Sequence, residues 1–220
     1  MYDIIYGVVL LFEVCFSSTI GLLIIKRDRF QRLNQIFSLV MFSFVAYLFL
    51  ESVIYLFNIT DLFVINLLRD IGVTFSTSSA VLLGFSAMII QRGDEVVNRK
   101  INLVIVGFFI LFLVIFGAPF DTAEVVEYFG ITYIIFQEEL VALILLRAVP
   151  LLCVSFAIFQ YMKIRVSSED SLLRQRLLKL TIGLLLIMLG VIYFSFFPFF
   201  LYPGHVSYII GELCVFWAFK

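Results

Sequence analysis

Three ionisable residues lie inside long apolar stretches of the chain: Glu13, Arg147 and Glu212. An ionised side chain in hydrocarbon is costly unless it is paired or hydrated, so each is a candidate functional residue. Arg147 is the natural counter-ion for one or both carboxylates, and Pro150, about one turn further on, lacks an N–H and can kink a helix. Two interpretations follow: a kinked helix that moves or clamps a ligand, or a static arrangement in which Arg147 fixes helix register or reaches the headgroups.

Small residues recur at four-residue spacing in the third apolar stretch, at Gly72, Ser76, Ala80 and Gly84. This spacing places them on one helix face, where small side chains let a second helix approach closely. The hydroxyls of Ser76 and Ser79 add polarity to the same region. The pattern predicts either a helix at the centre of a bundle or a helix whose hydroxyls line a polar cavity or pathway.

The elements that position these residues are predicted to be membrane-spanning helices. The 220 residues are 63% hydrophobic and 14% charged, with a mean hydropathy of +1.15, whereas soluble domains are about 45–50% apolar and about 25% charged. This composition excludes a soluble enzyme, a disordered chain and a nucleic-acid binder. About 20 apolar residues span a bilayer, and seven segments meet or approach that length: Ile4–Ile25, Ile36–Phe57, Phe63–Ile90, Ile101–Ala118, Glu139–Met162, Leu180–Leu201 and Val206–Phe219.

The fold class predicted is therefore an all-α membrane protein, a single-domain bundle of seven transmembrane helices over residues 1–220. Twelve of the 15 Lys and Arg residues lie in the first, third and fifth connections, while the opposite connections carry acidic residues. By the positive-inside rule this predicts an external N-terminus and a cytoplasmic C-terminus in the cell membrane. The long connection Pro119–Glu138 is interpreted as an interfacial segment or an early start to the fifth helix.

No cofactor or metal site is predicted. His205 is the single histidine, placed beside Pro203 and Gly204 in an external turn, and one histidine without a Cys/His cluster does not make a metal site. The sequence lacks a His-Glu-x-x-His motif, a Gly-x-Ser-x-Gly motif and a Gly-rich phosphate loop, so an enzyme is not expected. Microbial rhodopsins share the helix count, but they need a lysine in the last helix, and residues 206–219 contain none.

A short stretch before the sixth segment, from Ser171 to Gly183, contains Arg174, Gln175 and Arg176. It resembles the seven-helix N-terminal sensor region of prokaryotic membrane histidine kinases, in which an Arg-Gln pair follows the fifth helix and a Leu-rich sixth helix with a glycine comes next. The resemblance implies a sensory module, and it assigns coupling to cytoplasmic partners to these three polar residues.

The predicted function is a receptor-like sensor that binds a small or lipophilic signal between helices and passes a helix shift to a cytoplasmic signalling or membrane protein partner. Two alternatives stay open. A small transporter or channel predicts a wet path through Ser76, Ser79, Glu13 and Glu212. A non-catalytic subunit of a larger membrane complex fits the 27 phenylalanines, which supply lipid- or partner-facing surface.

Overall fold

The structure is a computed structural model that describes residues 4–28, 31–93, 95–128, 131–196 and 202–220. The described residues are all-α apart from one two-stranded hairpin, which confirms the helical part of the predicted fold class. In chain order the helices are α1 (Ile4–Arg27), α2 (Arg32–Leu56), α3 (Leu62–Arg92), the short α4 (Glu95–Asn98), α5 (Lys100–Gly117), a 3-10 turn (Ala118–Phe120), α6 (Leu140–Ala142), a π-helical segment (Leu143–Ala148), α7 (Val149–Ser167), α8 (Ser171–Phe196) and α9 (Tyr202–Phe219).

Six helical stretches within the described residues are long and apolar enough to cross a membrane, and they indicate a helical, multi-pass membrane protein. They are Ile4–Arg27, Arg32–Leu56, Leu62–Arg92, Lys100–Gly117, Leu140–Ser167 and Ser171–Tyr193. The seventh predicted segment is also helical, but α9 is outside this set because polar residues, His205 and Glu212 among them, lower its mean hydropathy. The predicted end of the sixth span, Leu201, and the basic residue Arg29 lie outside the described residues.

Neighbouring helices run in alternating directions. On α1, a Cβ built on Gly7 would meet Leu56, and one on Gly21 would meet Met41, so α1 and α2 are antiparallel. Helices α3 and α7 instead run parallel, because Gly84 faces Cys153 and the next turn of α3 reaches the next turns of α7. The α1–α2, α3–α5 and α7–α8 connections, which hold the basic residues, therefore lie at one end of the bundle.

The backbones of helices α8 and α9 approach each other closely at two pairs of glycines. A Cβ built on Gly183 would lie 2.6 Å from the carbonyl oxygen of Gly211, and one on Gly190 would lie 3.0 Å from that of Gly204. The pairs are seven residues apart on each antiparallel helix, which is two turns and returns to the same face. We call these four residues the glycine contact.

The connection after α5 is a β-hairpin and not an early start to the fifth helix. Strands β1 (Asp121–Tyr128) and β2 (Ile131–Glu138) pair antiparallel along their whole length, and residues 129 and 130 lie outside the described part. Both strands are rich in β-branched and aromatic residues, which favour extended backbone. The backbone N–H of Ala123 donates to Asn66 Oδ1 at 2.8 Å and fastens the hairpin to α3.

One helix start and one helix interior also differ from a regular α-helix over the predicted spans. Helix α8 begins at Ser171 rather than Leu180, because the Asp170 carboxylate caps it by accepting from the N–H groups of Leu172 and Leu173. The fifth span contains the π-helical segment Leu143–Ala148 directly before Pro150. Proline removes an α-helical donor and its ring crowds the preceding turn, which accounts for the wider turn at this position.

Candidate ligand-binding site

The first and last helices are joined by a buried pair of ionisable side chains. Glu13 on α1 is 1% exposed and His205 on α9 is 3% exposed, and Nδ1 of His205 lies 2.8 Å from Oε2 of Glu13. This contact corrects the prediction that His205 is an external turn residue. It also gives Glu13 a partner, His205, that differs from the predicted counter-ion Arg147.

The second ring nitrogen of His205 extends the pair towards α2. Its Nε2 lies 3.2 Å from the hydroxyl of Tyr6, and that hydroxyl lies 3.5 Å from Oε1 of Glu51. With both ring nitrogens protonated, His205 donates to Glu13 and to Tyr6, and Tyr6 donates to Glu51, so each donor has an acceptor. The arrangement is a hydrogen-bonded chain across α1, α9 and α2, which we call the His205 chain.

One turn further along α1, a second polar contact reaches α9. Ser17 Oγ donates to Oε1 of Glu212 at 2.6 Å, and both residues are buried. The other oxygen, Oε2 of Glu212, is buried and has no hydrogen-bond partner among the described residues. A buried carboxylate oxygen without a donor is costly in apolar surroundings. Glu212 can therefore accept a further hydrogen bond, and so can Glu13, whose Oε1 is likewise buried without a partner among the described residues.

Glu212 lines a cavity of about 50 Å³ between α2, α3, α8 and α9. The cavity is bounded mainly by apolar side chains, with Ser79 as the second polar residue. Its lining residues are Phe37, Val40, Met41, Phe44, Ser79, Leu83, Leu184, Ile187, Glu212 and Val215.

Two aromatic contacts between α2 and α9 flank the cavity along the bundle axis. Phe44 and Tyr208 have ring centroids 5.3 Å apart, and Phe37 and Phe219 have centroids 4.6 Å apart. Glu212 lies between Tyr208 and Phe219 on α9, so its carboxylate sits at the level between the two contacts. The geometry is that of a small apolar site with one carboxylate, enclosed by helices from both ends of the chain.

Arg147, the predicted counter-ion, lies on the segment directly before α7. It is half-buried on the π-helical segment, and its charge acts on the hydroxyls of Tyr47 and Tyr208. Arg69 is also within electrostatic range of Tyr47, whose hydroxyl is hydrogen-bonded to Glu51. The structure thus groups Arg147 with an aromatic cluster at the end of the bundle opposite the basic connections.

The small residues of α3 do not all pack against the same neighbouring helix. Gly72 faces the ring of Tyr47 on α2, whereas Gly84 lies against the backbone of Cys153 on α7. Ala80 packs against the main core, Ser76 is half-buried, and only Ser79 of the predicted serines lines the cavity. Gly84 is twelve positions after Gly72, which is about a third of a turn more than three turns at 3.6 residues per turn. The row of small residues therefore rotates around α3 from one neighbouring helix to another.

The polar residues assigned to cytoplasmic coupling lie in the first turns of α8. Arg174 and Gln175 are exposed, and Arg176 is half-buried. The same helix carries Leu184 and Ile187 into the cavity wall.

Sequence reasoning missed His205, Tyr6 and the glycine contact. A signal was present, because His205 and Glu212 are seven residues apart and Glu13 and Ser17 are four apart, so each pair shares a helix face. Within the described residues no group of three His, Cys, Asp or Glu side chains gathers as metal ligands. The chain matches no protein-family model and no curated protein sequence.

Proposed function

We propose that this protein is a receptor-like sensory module of seven membrane-spanning helices, which binds a small lipophilic signal in the cavity between α2, α3, α8 and α9. The observation that carries the proposal is the cavity itself. It is apolar, it holds one carboxylate with a free oxygen, and its walls come from helices at opposite ends of the chain. A ligand at this position contacts both groups of helices at once and can change their spacing.

The contacts of α9 support a seventh crossing. Glu13 meets His205 and Ser17 meets Glu212, so α9 runs parallel to α1, and the glycine contact makes it antiparallel to α8. Its polar residues face protein partners, which is how ionisable groups are accommodated in membrane helices. With the basic connections facing the cytoplasm, the N-terminus is external and the protein resides in the cell membrane as a multi-pass protein.

Helix α8 supplies a route from the cavity to the cytoplasmic face. Leu184 in the cavity wall lies ten residues from Arg174, or about 15 Å along a continuous helix. A shift of α8 at the cavity therefore moves the exposed Arg174 and Gln175 as part of the same rigid element. This position suits contact with a cytoplasmic signalling partner, as the resemblance to kinase sensor regions implies.

The test is ligand-dependent hydrogen exchange in lipid nanodiscs with 1-octanol as the probe. In the wild type, 1-octanol is expected to change amide exchange in residues 168–179, at the start of α8. Leu83→Trp fills the cavity and should abolish the change, because Leu83 is 6% exposed and lines it. Leu111→Trp is the matched control, because Leu111 is 52% exposed on α5 and should leave the response intact. An absent response in the wild type, or one that persists in Leu83→Trp, would contradict the proposal.

A further inference from the structure

The charge of Glu212 is not balanced by the residues around it. Its hydrogen-bond partner, Ser17, is neutral, and the charged group that acts on it is the like-charged Glu13. None of the described residues that line the cavity is Lys, Arg or His. Each of the two carboxylates has one partnered oxygen and one buried oxygen without a hydrogen-bond partner among the described residues, but the partner of Glu13 is the ionisable His205, whereas that of Glu212 is the neutral Ser17. An isolated carboxylate in such surroundings calls for a positively charged or strongly donating group.

The aromatic lining also favours a cation. Phe37 and Phe44 both contribute to the cavity wall, and the face of an aromatic ring attracts an ammonium group within about 6 Å of its centroid. The carboxylate of Glu212 belongs to the same lining. An ammonium group in this space is thus placed among two rings and a carboxylate, while the aliphatic residues suit the attached hydrocarbon.

The size of the cavity limits the head group. One water needs about 10–15 Å³ by this measure of volume, so 50 Å³ holds only a few groups of that size. A primary ammonium and its first methylenes fit this space. A trimethylated ammonium is bulkier and has no N–H to donate to Oε2. The rest of a longer hydrocarbon chain has to extend from the cavity between the helices.

We propose that the ligand is a lipophilic primary amine, whose ammonium group donates to Oε2 of Glu212 while its hydrocarbon lies among the apolar residues of the cavity. This inference rests on the proposed function, since it names the ligand class of the same cavity. It adds a chemical requirement that a purely apolar site does not have. A charge-assisted hydrogen bond is about 1.4 kcal/mol stronger than a neutral one, which corresponds to a tenfold difference in affinity.

The experiment measures saturable binding of radiolabelled n-octylamine, 1-octanol and octyltrimethylammonium to the protein in nanodiscs of uncharged lipid, with empty nanodiscs as the background. We expect octylamine to bind the wild type about tenfold more tightly than either of the other probes. Glu212→Gln should lose the preference for octylamine and keep the affinity for 1-octanol. Glu169→Gln, at an exposed loop position, is the matched control and should behave as the wild type does.

The outcomes separate the two proposals. Equal binding of octylamine and 1-octanol to the wild type would overturn the amine preference, since Glu212 then holds a proton. It would not contradict the proposal that the cavity binds a lipophilic signal. Equal binding of octylamine and octyltrimethylammonium would indicate general cation adsorption and would also overturn it. Absence of saturable binding by all three probes would overturn both proposals. These comparisons are made on the wild type and do not depend on the folding of a variant.

Discussion

Replacing Gly211 with alanine tests whether the glycine contact holds α8 and α9 together. The added Cβ would lie 2.7 Å from the carbonyl oxygen of Gly183 and 2.8 Å from Cγ1 of Ile187. Ordinary contact begins at 3.4 Å, so the helices must separate locally by about 0.7 Å to relieve the backbone clash. The carbonyl oxygen belongs to a helix and cannot rotate away as a side chain can.

The expected free-energy change combines two opposing effects. Overpacking of this kind costs about 1–3 kcal/mol, whereas alanine in place of glycine favours a helix by about 1 kcal/mol. Gly211→Ala should therefore lower the free energy of unfolding by about 1 kcal/mol. Gly107→Ala on α5 is the matched control, because a Cβ there meets no atom within 4 Å. It gains the helix preference without the clash, so the two variants should differ by about 2 kcal/mol.

Unfolding by sodium dodecyl sulfate in mixed micelles gives the measurement. The fluorescence of Trp217, the single tryptophan, reports on α9 directly, and far-ultraviolet circular dichroism reports on the bundle. The midpoint for Gly211→Ala should fall below that of the wild type, and the midpoint for Gly107→Ala should be equal or higher. Equal midpoints for the two variants would show that the close approach of α8 and α9 does not contribute to stability.

Two further substitutions probe contacts outside the cavity. His205→Phe leaves the buried carboxylate of Glu13 without its partner, so we expect the free energy of unfolding to fall by about 3–5 kcal/mol in the same experiment. The double variant Glu13→Gln/His205→Phe should recover part of this loss, and a double variant no more stable than the single one would contradict the pairing. Asn66→Ala removes the acceptor for the N–H of Ala123, so amide exchange at residue 123 should accelerate while exchange in α8 stays unchanged. Unaltered exchange at Ala123 would show that other contacts hold the hairpin against α3.

The helices were predictable because apolar length is a local property. The predicted starts and ends of most spans agree with the structure to within a few residues, since the bilayer demands about the same length of each. The start of α8 was wrong because Asp170 caps a polar first turn that hydropathy alone assigns to a loop. The hairpin was missed because its apolar and β-branched residues suit an extension of the fifth helix as well as paired strands.

The burial of Glu13 and Glu212 followed from sequence, but their partners did not. A carboxylate in an apolar segment implies burial wherever the segment packs, whereas the choice between Arg147 and His205 depends on which helices become neighbours. Which helices become neighbours depends on contacts such as the glycine contact, which packs α9 against α8, while His205 on α9 contacts Glu13 on α1. Such contacts join different helices, so the spacing of residues along any single helix does not predict them.

The partners in the α1–α9 contact are 192 and 195 residues apart in the chain. At a synthesis rate of about 5–20 residues per second, the ribosome takes roughly 10–40 s to supply the second half of each pair after the first. Glu13 and Ser17 therefore lie in the membrane or its entry channel without their partners on α9 until the ribosome has synthesised that helix. The hydrogen bonds from α1 to His205 and Glu212 form only after the helices between α1 and α9 have been synthesised.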